Sequence, residues 1–263
     1  MTTRSAFRMF WVVVVALFVA PAAFAQAPPD GGFSLPLNCT LDRDCWIINL
    51  PDAGIGDKAL DHQCGFRTYN RHEETDVAIR DFRAVDEGAD VLASAPGLVT
   101  AARDGTDEHY LHDDQTRKLT GVRACGNSVI LQHDDGWESY YCHMRKGSVA
   151  VKLGQRVVRG ERLGLVGMSG RTQFPHVHVE FRHRGTNLNP FTGQPVEAGC
   201  KAPVRQSLWH PEAKVSYPSF ALYAAGFLDH PPTKQRIWSS ARSPVSMPRH
   251  APPLVLWASM FGT

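Results

Sequence analysis

The stretch "FPHVHVEF", residues 174–181, decides the fold, because His176, Val177, His178, Val179, Glu180 and Phe181 alternate polar and apolar side chains. Such alternation marks a half-buried β-strand, in which residues two apart share a face. Val177, Val179 and Phe181 then face a core, and His176 and His178 project together from the opposite side. Two imidazoles on one strand face serve as metal ligands, as catalytic groups or as polar residues on the wet side of a sheet. The stretch alone leaves all three open.

The same texture fills residues 63–198. "TDVAIRDF" (75–82), "DVLASAPGLVTAAR" (90–103), "NSVILQHDDGWESYYCHM" (127–144) and "VAVKLGQRVVRGERLGLVG" (149–167) are short β-rich runs bounded by Gly and Asp turns. Helical periodicity is nearly absent, so the expected fold is mainly β, an antiparallel β-sheet domain. Within it, "VILQHDDGWESYYCH" reads as strand, Asp-Asp-Gly turn, strand. Residues 104–121 are too polar for a core strand and read as a surface loop. Residues 26–62 are turn-rich, with one short strand-like run in "CWIINLPDAGIGD" (45–57) closed by Pro and Gly, and read as an irregular N-terminal strap lying on the main domain. Half of the 18 prolines fall in the last 63 residues, which makes 199–263 an extended Pro-rich appendage rather than a second full core. Its terminal "PPLVLWASMFGT" reads as an apolar strand.

Residues 1–25 place Arg4 and Arg8 before an apolar run that ends at Ala23-Phe24-Ala25, a small-x-small pattern. This is the layout of a secretory signal peptide, with an apolar run that is short for a bilayer span and broken by Pro21. The expectation is an exported chain, periplasmic or secreted, without stable membrane insertion after cleavage. Export gives the six cysteines an oxidising compartment and makes three disulfides the expected state. Cys39 and Cys45 are close enough to close a small loop, Cys125 and Cys142 flank the hairpin, and Cys64 is left with Cys200. The net charge of +2 hides an asymmetry: after Cys200 only Glu212 and Asp229 are acidic, against seven Lys and Arg. That basic tail reads as a solvated surface or a contact to an anionic envelope. Basic residues are neither clustered nor interleaved with aromatics, which argues against a nucleic-acid partner.

A catalytic zinc site needs three protein ligands and an open position, so the opening pair requires a second cluster. "NRHEETDVAI" supplies one: His72 and Asp76 sit four apart, immediately before an alternating strand, and both side chains are good zinc ligands. Such a pair alone arises often by chance. His143, in "YYCHM", closes the hairpin strand and by itself reads as a core or rim residue. His62, His133, His183, His210, His230 and His250 have no partner at a metal spacing. His109 and His112 lie three apart in the acidic loop and read as cleft-rim residues.

Taken together, "HEETD", "YYCHM" and "GRTQFPHVHVEF" resemble the motifs of the lysostaphin and LytM-type zinc metallopeptidases, the peptidoglycan endopeptidases. In that family His-x-x-x-Asp, Tyr-x-His and Pro-His-x-His follow one another in the order seen here, and the resemblance spans roughly residues 63–192. It implies a LytM/lysostaphin-type (duplicated-hybrid-motif-like) catalytic domain with one Zn2+ per chain. His72, Asp76 and His178 would be its ligands, and His143 and His176 its unligated catalytic histidines. The implied substrate is a peptide bond in a peptidoglycan stem or cross-link. One position departs from the pattern: relatives commonly carry Gly midway between the first His and Asp, where this chain has Glu74. At positive φ a glutamate there costs about 1 kcal/mol or more, and its charge perturbs the metal. That departure keeps a second expectation alive, a cell-wall binding or hydrolase-activator module without turnover.

Overall fold

A computed structural model describes residues 27–109, 122–215 and 217, and beyond them the backbone of two strands at 220–228 and 255–262. Residues 1–26 and 110–121, His230 and His250 lie outside the described residues. Among the described residues twelve strands follow one another: β1 (Cys45–Asn49), β2 (Thr75–Ile79), β3 (Asp90–Leu92), β4 (Gly97–Arg103), β5 (Asn127–Gln132), β6 (Trp137–Met144), β7 (Arg156–Val157), β8 (Arg162–Leu165), β9 (His176–His183), β10 (Thr186–Leu188), β11 (Phe220–Leu228) and β12 (Val255–Gly262). The main sheet runs β1-β2-β9-β6-β5-β4-β7, with β10 also paired to β9. Every pairing in it is antiparallel.

The alternation of β9 is realised as expected for a half-buried strand. Val177, Val179 and Phe181 are buried in the core with Val77 and Ile79 of β2, Val129 and Leu131 of β5, and Trp137 and Tyr141 of β6. A two-stranded ribbon of β3 and β8 supplies Val91 and Leu163 to the same core. Because Val177, Val179 and Phe181 all sit in the core, a slip of one residue would move them off it, and the register is correspondingly well specified.

The short strand-like run read within residues 26–62 is β1. β1 is hydrogen-bonded to β2, so the sheet crosses residue 62 without a break. Phe33 is fully buried and stacks on Phe181 at 4.0 Å, with its N–H donating to Leu208 O at 2.8 Å. Arg159 fastens this segment by donating to Asp30 O, Gly32 O, Ser34 Oγ and Ser94 O. Leu208 and Trp209, from the C-terminal side, enter the same core. The apolar strand read at the end of the extension is β12, and it pairs antiparallel with β11, which the sequence reading did not single out.

Two local differences from the sequence expectation have plain causes. The run "TDVAIRDF" leaves the sheet after Ile79, because Asp81 caps a six-residue helix, α1 (Phe82–Glu87), through Oδ1 to the Ala84 N–H at 3.0 Å. Six residues make under two turns, too few for a helical period to show. "DVLASAPGLVTAAR" divides at Ser94-Ala95-Pro96 into β3 and β4, which belong to different sheets. All six cysteines are bridged, as Cys39–Cys45, Cys64–Cys200 and Cys125–Cys142. No helix among the described residues is long and apolar enough to cross a membrane.

Candidate metal centre

On the open face of the sheet, pairing register places the chemistry. Asp76 lies opposite His178 and Ala78 opposite His176 across β2 and β9. Cys142 of β6 flanks His178 from the other side. Strand alternation therefore puts Asp76, His176 and His178 on one face.

His72 reaches them from the loop before β2. Asp52 organises that loop: its Oδ2 accepts from the Arg71 N–H at 2.8 Å, and its Oδ1 accepts from Gly54 and Leu60. The His72 N–H closes a turn onto Tyr69 O at 3.0 Å. His143 reaches the same space by a different device. Between the pairs Asn127↔Met144 and Val129↔Tyr141, β6 carries one residue more than β5. That bulge breaks the alternation and re-aims the His143 ring. His143 also sits at φ 61°, a left-handed conformation that costs a non-glycine residue of order 1–3 kcal/mol and is found most often at functional sites.

Asp76 is the hub. Its Oδ2 lies 3.2 Å from His72 Nε2 and accepts from Asn49 Nδ2 at 2.8 Å. Its Oδ1 lies 2.9 Å from His178 Nδ1 and 3.3 Å from His176 Nε2. The rings of His143 and His176 are 4.8 Å apart, and those of His143 and His178 5.2 Å. All five side chains named from the sequence thus lie together at one place.

Three of the four rings are oriented alike. His72 Nδ1 is 2.9 Å from Leu50 O, His143 Nδ1 is 2.8 Å from Ser169 O, and His176 Nδ1 is 2.7 Å from Phe174 O. A carbonyl only accepts, so each Nδ1 carries the proton and each Nε2 presents a lone pair to the centre. His178 is turned the other way: Nδ1 faces Asp76, while Nε2 lies 2.9 Å from Glu74 Oε1. Sequence reasoning missed Asn49, Leu50, Asp52 and Ser169, because each acts through a backbone group or a cross-strand register that no motif records.

The electrostatics follow from burial and neighbours. Burial pushes the Asp76 carboxyl up, but His176 and His72 outweigh it and hold it well below the usual carboxylate range. His178 is drawn down by burial, yet the Glu74 carboxylate, with Asp76, leaves it well above the ordinary histidine value. His143 moves oppositely, pushed well below its ordinary value by burial and by His176 and His178 beside it. Tyr69 lies over His72 with ring centroids 4.4 Å apart. Burial, then Asp76 and Glu74, raise its phenol, so it stays protonated at the cleft rim.

The residues fit a zinc ion. His72 Nε2 is buried without a hydrogen-bond partner. With Nδ1 donating to Leu50, that nitrogen faces the Asp76 carboxylate at 3.2 Å, an arrangement that attracts only when a proton or a metal cation lies between them. Donor atoms cluster within 4.8 Å of one another as His143, His176 and His178 and as His72, Glu74 and His178. Asp76 contacts three of these rings, so a cation beside it meets both imidazole and carboxylate, as one between His72, Glu74 and His178 also would. Two imidazoles and a carboxylate are a catalytic zinc donor set. A cleft of about 520 Å3, lined by Tyr69, Asn70, Asp76, His143, Arg171 and His176, opens onto this point.

Residues 80–190 match the family model described as Peptidase family M23. An "Uncharacterized metalloprotease" of Haemophilus influenzae is 34% identical over 106 residues, covering 40% of this chain and 20% of that protein. Peptidoglycan DD-endopeptidase ShyA of Vibrio cholerae is 44% identical over 64 residues, covering 24% of this chain and 14% of that protein. The chain therefore spans a fifth or less of the length of these two relatives. Among solved structures, a zinc containing peptidase from Vibrio cholerae aligns with TM-score 0.38 and 21% identity over 62% of this chain and 39% of that one. The lysostaphin catalytic domain from Staphylococcus simulans aligns with TM-score 0.35 and 19% identity over 54% and 85%. The matched stretch holds His143, His176 and His178, with Asp76 and His72 just before it, so residues 80–190 are similar to peptidase family M23.

Proposed function

We propose that the chain is an exported zinc metalloendopeptidase that hydrolyses peptide bonds in peptidoglycan stem peptides or cross-links. The observation that carries this is Asp76, whose Oδ2 meets His72 and whose Oδ1 meets His178 and His176, at the floor of an open cleft. His72, Asp76 and His178 would hold the ion, and His143 and His176 would stay free for proton transfer. Zinc held there supplies Lewis acidity and makes hydroxide available at neutral pH. Of the free imidazoles, His143 is kept neutral by burial, with Nε2 open to the cleft. His176 presents Nε2 to the same space. Between them, the two rings take a proton from the attacking water and deliver one to the amine that leaves as the peptide C–N bond breaks. Tyr69, protonated at the rim, is a donor for the developing oxyanion.

Three disulfides with no free cysteine support an oxidising, extracytoplasmic location. The wall as substrate is supported by the ShyA relative, a peptidoglycan DD-endopeptidase by name. The domain reading that goes with this is a leader at 1–25, a metallopeptidase domain at 63–198, a strap before it and a basic extension after it. The test is purification of the oxidised chain, zinc quantification and digestion of peptidoglycan with product mass analysis. His178→Ala is expected to lose zinc and activity together, and His143→Ala to keep zinc but lose at least about 100-fold in rate. Full cleavage by both variants sinks the mechanism. A zinc-free protein that binds the wall without cutting it establishes the binding-module reading instead.

A further inference from the structure

Three of the four histidines at the centre are oriented by a main-chain carbonyl on Nδ1. The fourth, His178, has no carbonyl partner of that kind among the described residues, because it uses Nδ1 on the Asp76 side and turns Nε2 outward. What meets Nε2 is Glu74, with Oε1 at 2.9 Å. The other carboxylate oxygen, Oε2, is fixed by the Glu73 N–H at 2.7 Å, so the group is held at both ends. Glu74 lies only 20% exposed and 3.8 Å from His72 Nε2. Its backbone is not in the left-handed region, so the glutamate sits at this position without the strain that a glycine there would imply.

We infer that Glu74 is a positioning residue for the metal centre: its carboxylate holds the His178 Nε2–H and so commits Nδ1 to the ion. A carboxylate behind a ligating imidazole fixes its tautomer and ring orientation and raises its basicity, and loss of such a partner typically costs 10–100-fold in metal affinity or activity. The residue that departs from the resembled pattern is then part of the site's construction. In that role it stands behind a ligand and is not one itself. This rests on the ligand assignment proposed above.

The experiment measures zinc affinity of the oxidised full chain by competition with a chromophoric chelator, for the wild type, Glu74→Gly, Glu74→Gln and His178→Ala. Visible spectra of the cobalt-substituted proteins are recorded in parallel. Glu74→Gly is expected to bind zinc about 10–100-fold more weakly. Glu74→Gln, whose amide oxygen still accepts from Nε2–H, is expected to recover most of that loss. Cobalt band positions and intensities are expected to match the wild type in both variants, as they do when the ligand set is unchanged. Zinc affinity of Glu74→Gly within twofold of wild type overturns the inference. So does a cobalt spectrum altered in Glu74→Gln, which makes Glu74 a ligand. His178→Ala separates the two levels: if it too keeps wild-type affinity, the ligand assignment falls, and if it loses zinc while the Glu74 variants do not, only the positioning role falls.

Discussion

His133 and His143 are histidines of nearly equal burial, 6% and 5% exposed, put to opposite uses. Both have Nδ1 against a main-chain carbonyl, Pro96 O at 2.6 Å and Ser169 O at 2.8 Å. The difference is Nε2. In His133 it accepts from Ser139 Oγ at 2.8 Å, which in turn is 3.0 Å from the Tyr141 hydroxyl, so the ring is satisfied and structural. In His143 it is left to the cleft. Burial depresses the His133 value below its ordinary 6.5, which makes a stability prediction with a definite sign. The folded state prefers the neutral ring, whereas below about pH 6.5 the unfolded chain takes up the proton. The contribution of His133 is therefore complete above that pH and is lost as the pH falls through the lower folded value. Urea midpoints of metal-free wild type and His133→Gln, measured at pH 7.5 and 5, are expected to differ most at pH 7.5 and to converge at pH 5. A constant difference contradicts the buried neutral ring.

Among the elements, the crossing of the turn at Gly126 with the loop at Ser169-Gly170 is what brings the Ser169 carbonyl to His143. The two glycines pass so closely that a Cβ on Gly170 would sit 2.6 Å from the Gly126 nitrogen and closer still to Ala124 O, at φ +79°. Gly170→Ala is expected to lose about 1–3 kcal/mol of stability from the overpacked contact and to lower kcat further than any loss of folded protein explains, because Ser169 O moves with the loop. Thermal melts alongside turnover per zinc-loaded molecule check this, and unchanged turnover would mean that the carbonyl does not orient the ring. The same region shows what a sequence conceals. Alternation in "HVHVEF" was legible because strand geometry is local, and the spacing of His72 and Asp76 was legible because β2 begins at Thr75. The bulge that aims His143 depends on how β6 registers with β5, and the Asn49 contact on how β1 registers with β2, where another residue is accommodated between Ile47 and Asn49. Neither register is written in one strand. Glu74 read as a strained intrusion because its backbone conformation and its partner, over a hundred residues away, are properties of the fold.

For the molecule as a whole, the disulfides divide between holding the fold and holding the site. Cys64–Cys200 spans 136 residues and ties the start of the His72 loop to the beginning of the extension, whereas Cys125–Cys142 spans 17 and Cys39–Cys45 only 6. In the chain-entropy account the stabilisation grows with the logarithm of the loop, giving roughly 5, 3 and 2 kcal/mol in that order. Function should rank differently. Cys142 precedes His143 at the bulge and lies opposite His178, and its bridge anchors the helical turn Val122–Cys125, whose Ala124 O accepts from the Arg171 N–H at 2.8 Å. Paired Cys→Ala replacements of each bridge, compared by urea unfolding and by turnover at a temperature where all three remain folded, are expected to separate the two orders. Loss of Cys64–Cys200 should lower the unfolding midpoint most, and loss of Cys125–Cys142 should lower turnover most, since it releases the bulge that aims the His143 ring. If activity instead falls in the same order as stability, the bridge beside His143 has no part in the site beyond keeping the chain folded.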